Sequence, residues 1–244
     1  MKFNEAQEQA IRHIDGPCLV LAGPGSGKTA VITDRTRYLI EEAGIHPANI
    51  LVVTFTKAAA MEMQERFRTK MQGANVPCTF GTFHSIFFWI LRRAYGYTGN
   101  QIVSEEEKRK ILTELVQKME LEYEDEEEFI QNLIGEITLV KSEYMPIEHY
   151  YSTTCGEAEF RQLYQSYQER IQSEGKLDFD DMLVYTYELL KERPDICRQW
   201  QEKFQYILID EFQDINHIQY EIVRMLSGDR KNLFVVGDDD QSIY

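Results

Sequence analysis

Long apolar runs are missing from this 244-residue chain: none approaches the roughly 20 residues that a bilayer-spanning helix needs. The first ten residues, MKFNEAQEQA, lack the apolar centre of a signal peptide, so the expectation is a cytoplasmic protein with no membrane attachment. Cysteine is scarce. Cys18, Cys78, Cys155 and Cys197 lie far apart with no CxxC pair, which argues against a zinc site and points to reduced thiols. Internal repeats and low-complexity linkers are absent too. Positive charge is in deficit, 26 Lys and Arg against 41 Asp and Glu, for a net charge of −15. That excludes a uniformly basic nucleic-acid binder but not a local basic groove, because the deficit is uneven. Residues 100–175 hold 7 basic and 18 acidic side chains, leaving the flanking parts close to balance.

What is present is a set of five short apolar runs, CLVLAG (18–23), ILVVTF (50–55), CTFGTF (78–83), YILIDEF (206–212) and LFVVGD (233–238). Each reads as a buried strand, with Gly, Asp or Thr near its C-terminal end where a loop takes over. Helical stretches such as 30–42 and 57–71 separate the early ones. That alternation predicts right-handed βαβ units and an α/β fold around a parallel sheet. Between about 99 and 174 only helical signals occur. Ser104 with Glu107 is a capping-box pattern for a helix running through Lys118. Phe160, Leu163, Tyr164, Tyr167 and Ile171 form an apolar stripe at helical spacing. The acidic run 120–128 reads as solvated surface. Asp178 or Asp180 is expected to cap a returning helix that stops before Pro194. The predicted organisation is one discontinuous domain, 1–99 and 175–244, interrupted by a helical insertion, 100–174.

The stretch Ala22-Gly23-Pro24-Gly25-Ser26-Gly27-Lys28-Thr29 follows the first strand and opens the first long helix. It fits the Walker A pattern at every fixed position but the first, where Ala22 replaces glycine. Gly23, Gly25 and Gly27 let successive backbone N–H groups face a phosphate, and the helix adds its positive dipole end. Lys28 is placed to reach the β and γ phosphates of a nucleotide, and the Thr29 hydroxyl to ligate Mg²⁺. The fourth run delivers Asp210 and Glu211 at a strand end, suited to holding Mg²⁺ and polarising water respectively. Gln241, after the fifth run, is a candidate γ-phosphate sensor. Together these predict an NTPase using a nucleotide and Mg²⁺.

Six segments then carry a resemblance. Phe3-Asn4-Glu5-Ala6-Gln7 resembles the Q motif of the UvrD/Rep/PcrA family of superfamily 1 DNA helicases, and the Walker A stretch resembles its motif I. Residues 54–63 (TFTKAAAMEM) resemble motif Ia, and Gly81-Thr82-Phe83-His84-Ser85 resembles motif Ib. Asp210-Glu211-Phe212-Gln213-Asp214 looks like motif II, and residues 236–244 (VGDDDQSIY) look like motif III. They run in family order from Phe3 to Tyr244.

The resemblance implies a RecA-like domain that binds ATP and Mg²⁺, with Gln7 reading the adenine edge and Gln241 coupling the γ-phosphate to DNA. It implies that Phe55, Thr56, Thr82, Phe83, His84 and Tyr244 line a single-strand path, with core packing as the competing role for Phe55 and Phe83. It also implies 3′ to 5′ polarity, contact of the helical insertion with single/double-strand junctions, and a second RecA-like domain in cis that lies outside these 244 residues. The chain alone is therefore expected to bind ATP weakly, hydrolyse little and unwind nothing. Two positions depart from the family pattern: Ala30, where arginine often follows the Walker A threonine, and Lys57, where asparagine often follows Thr56. A helicase–nuclease subunit of the AddA/RecB kind, a non-catalytic module using the acidic insertion, and a small-molecule P-loop kinase stand as alternatives.

Overall fold

The computed structural model describes residues 3–23 and 25–238. Along the chain run α1 (Glu5–Arg12), β1 (Cys18–Leu21), α2 (Lys28–Glu41), β2 (Ile50–Thr54), α3 (Lys57–Lys70), β3 (Thr79–Thr82) and α4 (Phe83–Tyr95). There follow α5 (Glu105–Lys118), α6 (Glu126–Ser142), α7 (Glu157–Ser173), α8 (Phe179–Glu192), α9 (Pro194–Lys203), β4 (Tyr206–Ile209), α10 (His217–Ser227) and β5 (Leu233–Gly237). The described residues fall into two compact units, one built from 3–86, 189–215 and 220–238, the other from 87–188 and 216–219.

The first unit carries a five-stranded, all-parallel sheet in the order β1-β5-β4-β2-β3. All five apolar runs form strands, each shorter than its apolar stretch. The inner strands β2 and β4 are buried along their whole length, as a parallel sheet covered on both faces requires. Ile11 of α1, Ile32 and Leu39 of α2, and Met63 and Phe67 of α3 join Val52, Leu208, Phe234 and Val236 in one core. Because β4 and β5 insert between β1 and β2, strands distant in sequence finish side by side. The C-terminal ends of β1, β5 and β4 form a row, at the edge where open α/β sheets place their ligands. The fourth run ends early. Its strand stops at Ile209, because Glu211 takes a left-handed backbone (φ 52°, ψ 47°) that leads into a tight turn over Phe212–Asp214.

In the second unit, α5, α6 and α7 enclose a core of Leu112, Val116, Leu133, Ile137, Phe160, Leu163, Tyr167 and Ile171. The predicted α7 stripe is thus buried, with Tyr164 partly so. Ser104 caps α5 by accepting from the Glu107 N–H, while the Glu107 carboxylate accepts from Lys176 and the second half of a capping box is not formed. The acidic run is exposed through Glu128. Asp125 caps α6 and Glu126–Glu128 fill its first turn, where negative charge meets the positive end of the helix dipole. Asp178 and Asp181 cap each other's backbone N–H at the start of α8, which ends at Glu192 ahead of Pro194. No helix among the described residues is long and apolar enough to cross a membrane.

Candidate nucleotide site

β1 gives way to the glycine loop, and α2 begins directly after it. Gly25 (φ 72°) and Gly27 (φ 87°) both occupy the left-handed region that a side chain resists. Gly27 is the N-cap of α2, and neither a side-chain cap nor an acidic residue serves its first turn. The first N–H groups of α2 are thereby left for an anion. The loop is tied down at its start, where the Ala22 N–H donates to the Gly237 carbonyl of β5 (3.0 Å).

Lys28 sits at the centre. Its ammonium donates to the Ala22 carbonyl at 3.2 Å and lies 3.7 Å from Glu211 Oε2 and 3.5 Å from Asp238 Oδ2. Three adjacent strand ends thus supply the glycine loop, Asp238 and the Asp210–Glu211 pair around one cation. Asp210 is buried. Burial first, and the neighbouring Glu211 charge second, push its carboxyl up to about 6, against the opposing pull of the Glu211 N–H and Lys28.

Glu211 is held by Gln213, whose Nε2 donates to Glu211 Oε2 at 2.8 Å. The other end of that amide, Gln213 Oε1, accepts the Asp238 backbone N–H at 2.9 Å. Gly237 makes the approach possible, since a Cβ there would stand 3.1 Å from Gln213 Oε1. The roles of Gln213 and Asp238 are invisible in the sequence, because they depend on β4 and β5 being neighbours.

Gln7 reaches the same loop from α1. Its Nε2 donates to the Ser26 carbonyl at 2.8 Å, and its Oε1 accepts the Asn4 N–H at 2.9 Å in a capping box. Each end of the amide keeps one further hydrogen-bonding position. Thr29 is half-buried on the first turn of α2.

The residues of the expected single-strand path gather at the C-terminal ends of β2 and β3, which pair with Thr54 opposite Thr82. Thr56 is exposed and caps α3 by accepting from the Ala59 N–H. Thr82 and Ser85 cap the start of α4 reciprocally. The Phe55 and Phe83 rings meet edge to face at 5.3 Å, with Phe83 buried and Phe55 half-buried. His84 is half-buried. Pro24, Gln241 and Tyr244 lie outside the described residues.

Against known proteins, residues 3–244 match the family described as UvrD/REP helicase N-terminal domain. The chain belongs to this family. Among curated helicase-family relatives, YjcD of Bacillus subtilis (strain 168) is 41% identical over 99% of this chain and 32% of its own length. The ATP-dependent DNA helicase Rep of Escherichia coli (strain K12) is 36% identical over 100% of the chain and 37% of its own length. The ATP-dependent DNA helicase PcrA of Staphylococcus aureus (strain Mu50 / ATCC 700699) is 35% identical over 99% and 34%. The chain spans about a third of the length of these relatives. The α/β fold with its five-stranded parallel sheet is consistent with a RecA-like helicase domain.

Proposed function

We propose that this chain is the ATP-binding, single-stranded-DNA-contacting N-terminal part of an ATP-dependent DNA helicase or translocase of 3′ to 5′ polarity. One observation carries the nucleotide reading: Lys28, at the open N-terminus of α2, lies within 4 Å of carboxylates from two neighbouring strand ends. A lysine held this way is poised to exchange its carboxylate contacts for phosphate oxygens.

Residues 23–29, Pro24 included, would cradle the triphosphate, with Lys28 on its β and γ groups. The remaining donor and acceptor of the Gln7 amide match the adenine edge. Glu211 would orient and polarise the attacking water, its carboxylate steadied by Gln213. The residues fit Mg²⁺: Thr29 and Asp210 offer hard oxygen donors, and Asp210 and Glu211 set two adjacent carboxyls at the end of β4. Bound there, Mg²⁺ would neutralise phosphate charge.

Single-stranded DNA would run over Phe55, Thr56, Thr82, His84 and Tyr244, with the buried Phe83 completing the path's wall by its edge-to-face contact with Phe55. Residues 100–174 form the helical insertion domain in this proposal and 1–99 with 175–244 the ATP-binding domain, the insertion facing single/double-strand junctions. A second RecA-like domain in cis would complete the ATP site, and Gln241 would relay its state to the DNA. The isolated chain would bind ATP·Mg²⁺ weakly, hydrolyse it negligibly and unwind nothing. A helicase–nuclease parent of the AddA/RecB kind would share these roles, and a nuclease assay on the parent protein separates the two.

The test is fluorescence anisotropy of labelled single-stranded DNA with and without ATP·Mg²⁺, at two salt concentrations. Salt-sensitive binding that shifts with nucleotide is the expected result. DNA binding indifferent to nucleotide would overturn the coupling.

A further inference from the structure

Arg35 is the largest fully buried side chain of the chain's described residues. Among those residues no carboxylate forms an ion pair with its guanidinium, Asp15 acting on it only at longer range, and its Nε has no hydrogen-bond partner. A buried cation without an anionic partner is costly, so what it does touch is informative. Nη1 donates to the Ala10 carbonyl at 3.1 Å, and Nη2 to the Ile14 carbonyl at 3.2 Å. The plane lies 4.4 Å from the centre of the Phe234 ring on β5.

Ala10 is in the last turn of α1, where carbonyls lack intrahelical partners and carry the negative end of the dipole. Arg35 is therefore a C-terminal cap supplied to α1 by another helix. An eight-residue helix is marginal alone and takes its place from such ties. Gln7 and Ala10 are three residues apart on that helix, so they share a face and fixing one fixes the other.

A closed ring of contacts results. The Gln7 amide holds the Ser26 carbonyl of the glycine loop, α1 joins Gln7 to Ala10, Arg35 joins Ala10 to α2, and α2 returns to Lys28 and the loop. The Tyr206–Asp15 and Gly16–Asn232 hydrogen bonds anchor the segment after α1 to the sheet, but neither reaches α2.

We infer that Arg35 is a positioning residue for base selection: by clamping α1 to the helix that carries the glycine loop, it holds Gln7 where its amide can read a purine edge. The inference rests on the reading of Gln7 as the adenine contact. Lysine is a poor substitute, since it lacks both the second donor and the plane that stacks on Phe234.

The experiment is competition against a fluorescent ATP analogue on this chain. ATP·Mg²⁺, GTP·Mg²⁺ and tripolyphosphate·Mg²⁺ are the competitors, and thermal unfolding is followed in parallel. Wild type should prefer ATP over GTP, and Gln7→Ala should abolish that preference. Arg35→Met and Arg35→Lys should each cut the ATP/GTP ratio by about fivefold, the worth of one hydrogen bond, while tripolyphosphate affinity stays put. Phe234→Leu, which removes the ring under the Arg35 plane but none of the Arg35 hydrogen bonds, should lower the ratio in the same direction. It carries the test with Arg35→Lys if Arg35→Met does not fold. A wild-type ratio in Arg35→Lys and Phe234→Leu, with Gln7→Ala abolishing preference, overturns the role of Arg35. A ratio unchanged in Gln7→Ala overturns the underlying reading and the inference with it.

Discussion

The Gln213 side-chain amide accepts the buried Asp238 N–H through Oε1 while donating to Glu211 through Nε2. One side chain from the turn after β4 therefore fixes both the end of β5 and one of the two carboxylates beside Lys28. Gln213→Leu keeps much of the volume but strands the Asp238 N–H without an acceptor. An unsatisfied buried donor costs about 1–3 kcal/mol. Urea unfolding of the variant should show a loss in that range, and a change of only a few tenths would mean water or a rearranged turn replaces the amide.

Lys28→Met should weaken ATP·Mg²⁺ binding by at least about tenfold, because charge-assisted bonds to phosphate are among the stronger polar contacts. Glu211 and Asp238 would face the incoming phosphates with no cation between them. Isothermal titration of wild type and variant measures it. Equal affinities would remove Lys28 from the site.

The glycines of the loop should separate by backbone conformation. Gly25→Ala places a side chain at φ 72°, which costs about 1–2 kcal/mol although no atom stands within 4 Å of the new methyl. Gly23→Ala meets neither a neighbouring atom nor a positive φ. Thermal unfolding should therefore drop for Gly25→Ala and stay nearly level for Gly23→Ala. The reverse order would mean the loop relaxes out of the left-handed region.

The sheet was legible because a strand buried on both faces is a continuous apolar run, and β2 and β4 are apolar throughout. Its ends were less so. Reading YILIDEF as one strand overran the left-handed Glu211, since nothing in the residue type announces a positive φ. The loop lysine and the acidic pair were legible as motifs. Gln213 and Asp238 fell inside such motifs, but their contacts, like the burial of Arg35, were not legible, because their partners lie on strands and helices brought together by sheet order. Arg35 stands in the polar stretch TDRTR, and Lys108 in EEEKRK, patterns that look solvated although both side chains are buried.

Alkaline pH should destabilise the first unit through Cys78. Burial pushes its thiol up to about 12 from an ordinary value of 9.0, with the Thr79 backbone N–H pulling weakly the other way. The native pKa is the higher one, so the contribution to stability is complete below pH 9 and is lost as the pH climbs towards 12. Urea titrations across that window should fall less steeply for Cys78→Ala than for wild type. The comparison is between slopes, since the variant also loses packing. Parallel slopes would show that the thiolate is accommodated in the native state.

Lys141 in the second unit is the sharpest test of buried charge. Its side chain is 1% exposed, and its ammonium lies 2.9 Å from Asp178 Oδ2 and 2.8 Å from Asp181 Oδ1 and faces the Tyr167 ring at 5.3 Å. Lys108 stands 3.4 Å from Asp178 and donates to Asp180, and the Tyr167 hydroxyl donates to Asp178 at 2.9 Å. Burial would raise the Asp178 pKa, but Lys141 and Lys108 overcome it and hold the carboxyl well below the usual range. Removing Lys141 leaves Asp178 with Lys108 alone, already shared with Asp180, and takes from Asp181 its ion-pair partner. Lys141→Met should therefore cost about 3–5 kcal/mol, far above the loss from an exposed pair. Adding Asp181→Asn to Lys141→Met should recover part of that loss, since it removes the charge left behind. A small cost for Lys141→Met alone, below about 1 kcal/mol, would mean that Asp181 takes up a proton and the network carries one charge fewer than its geometry invites.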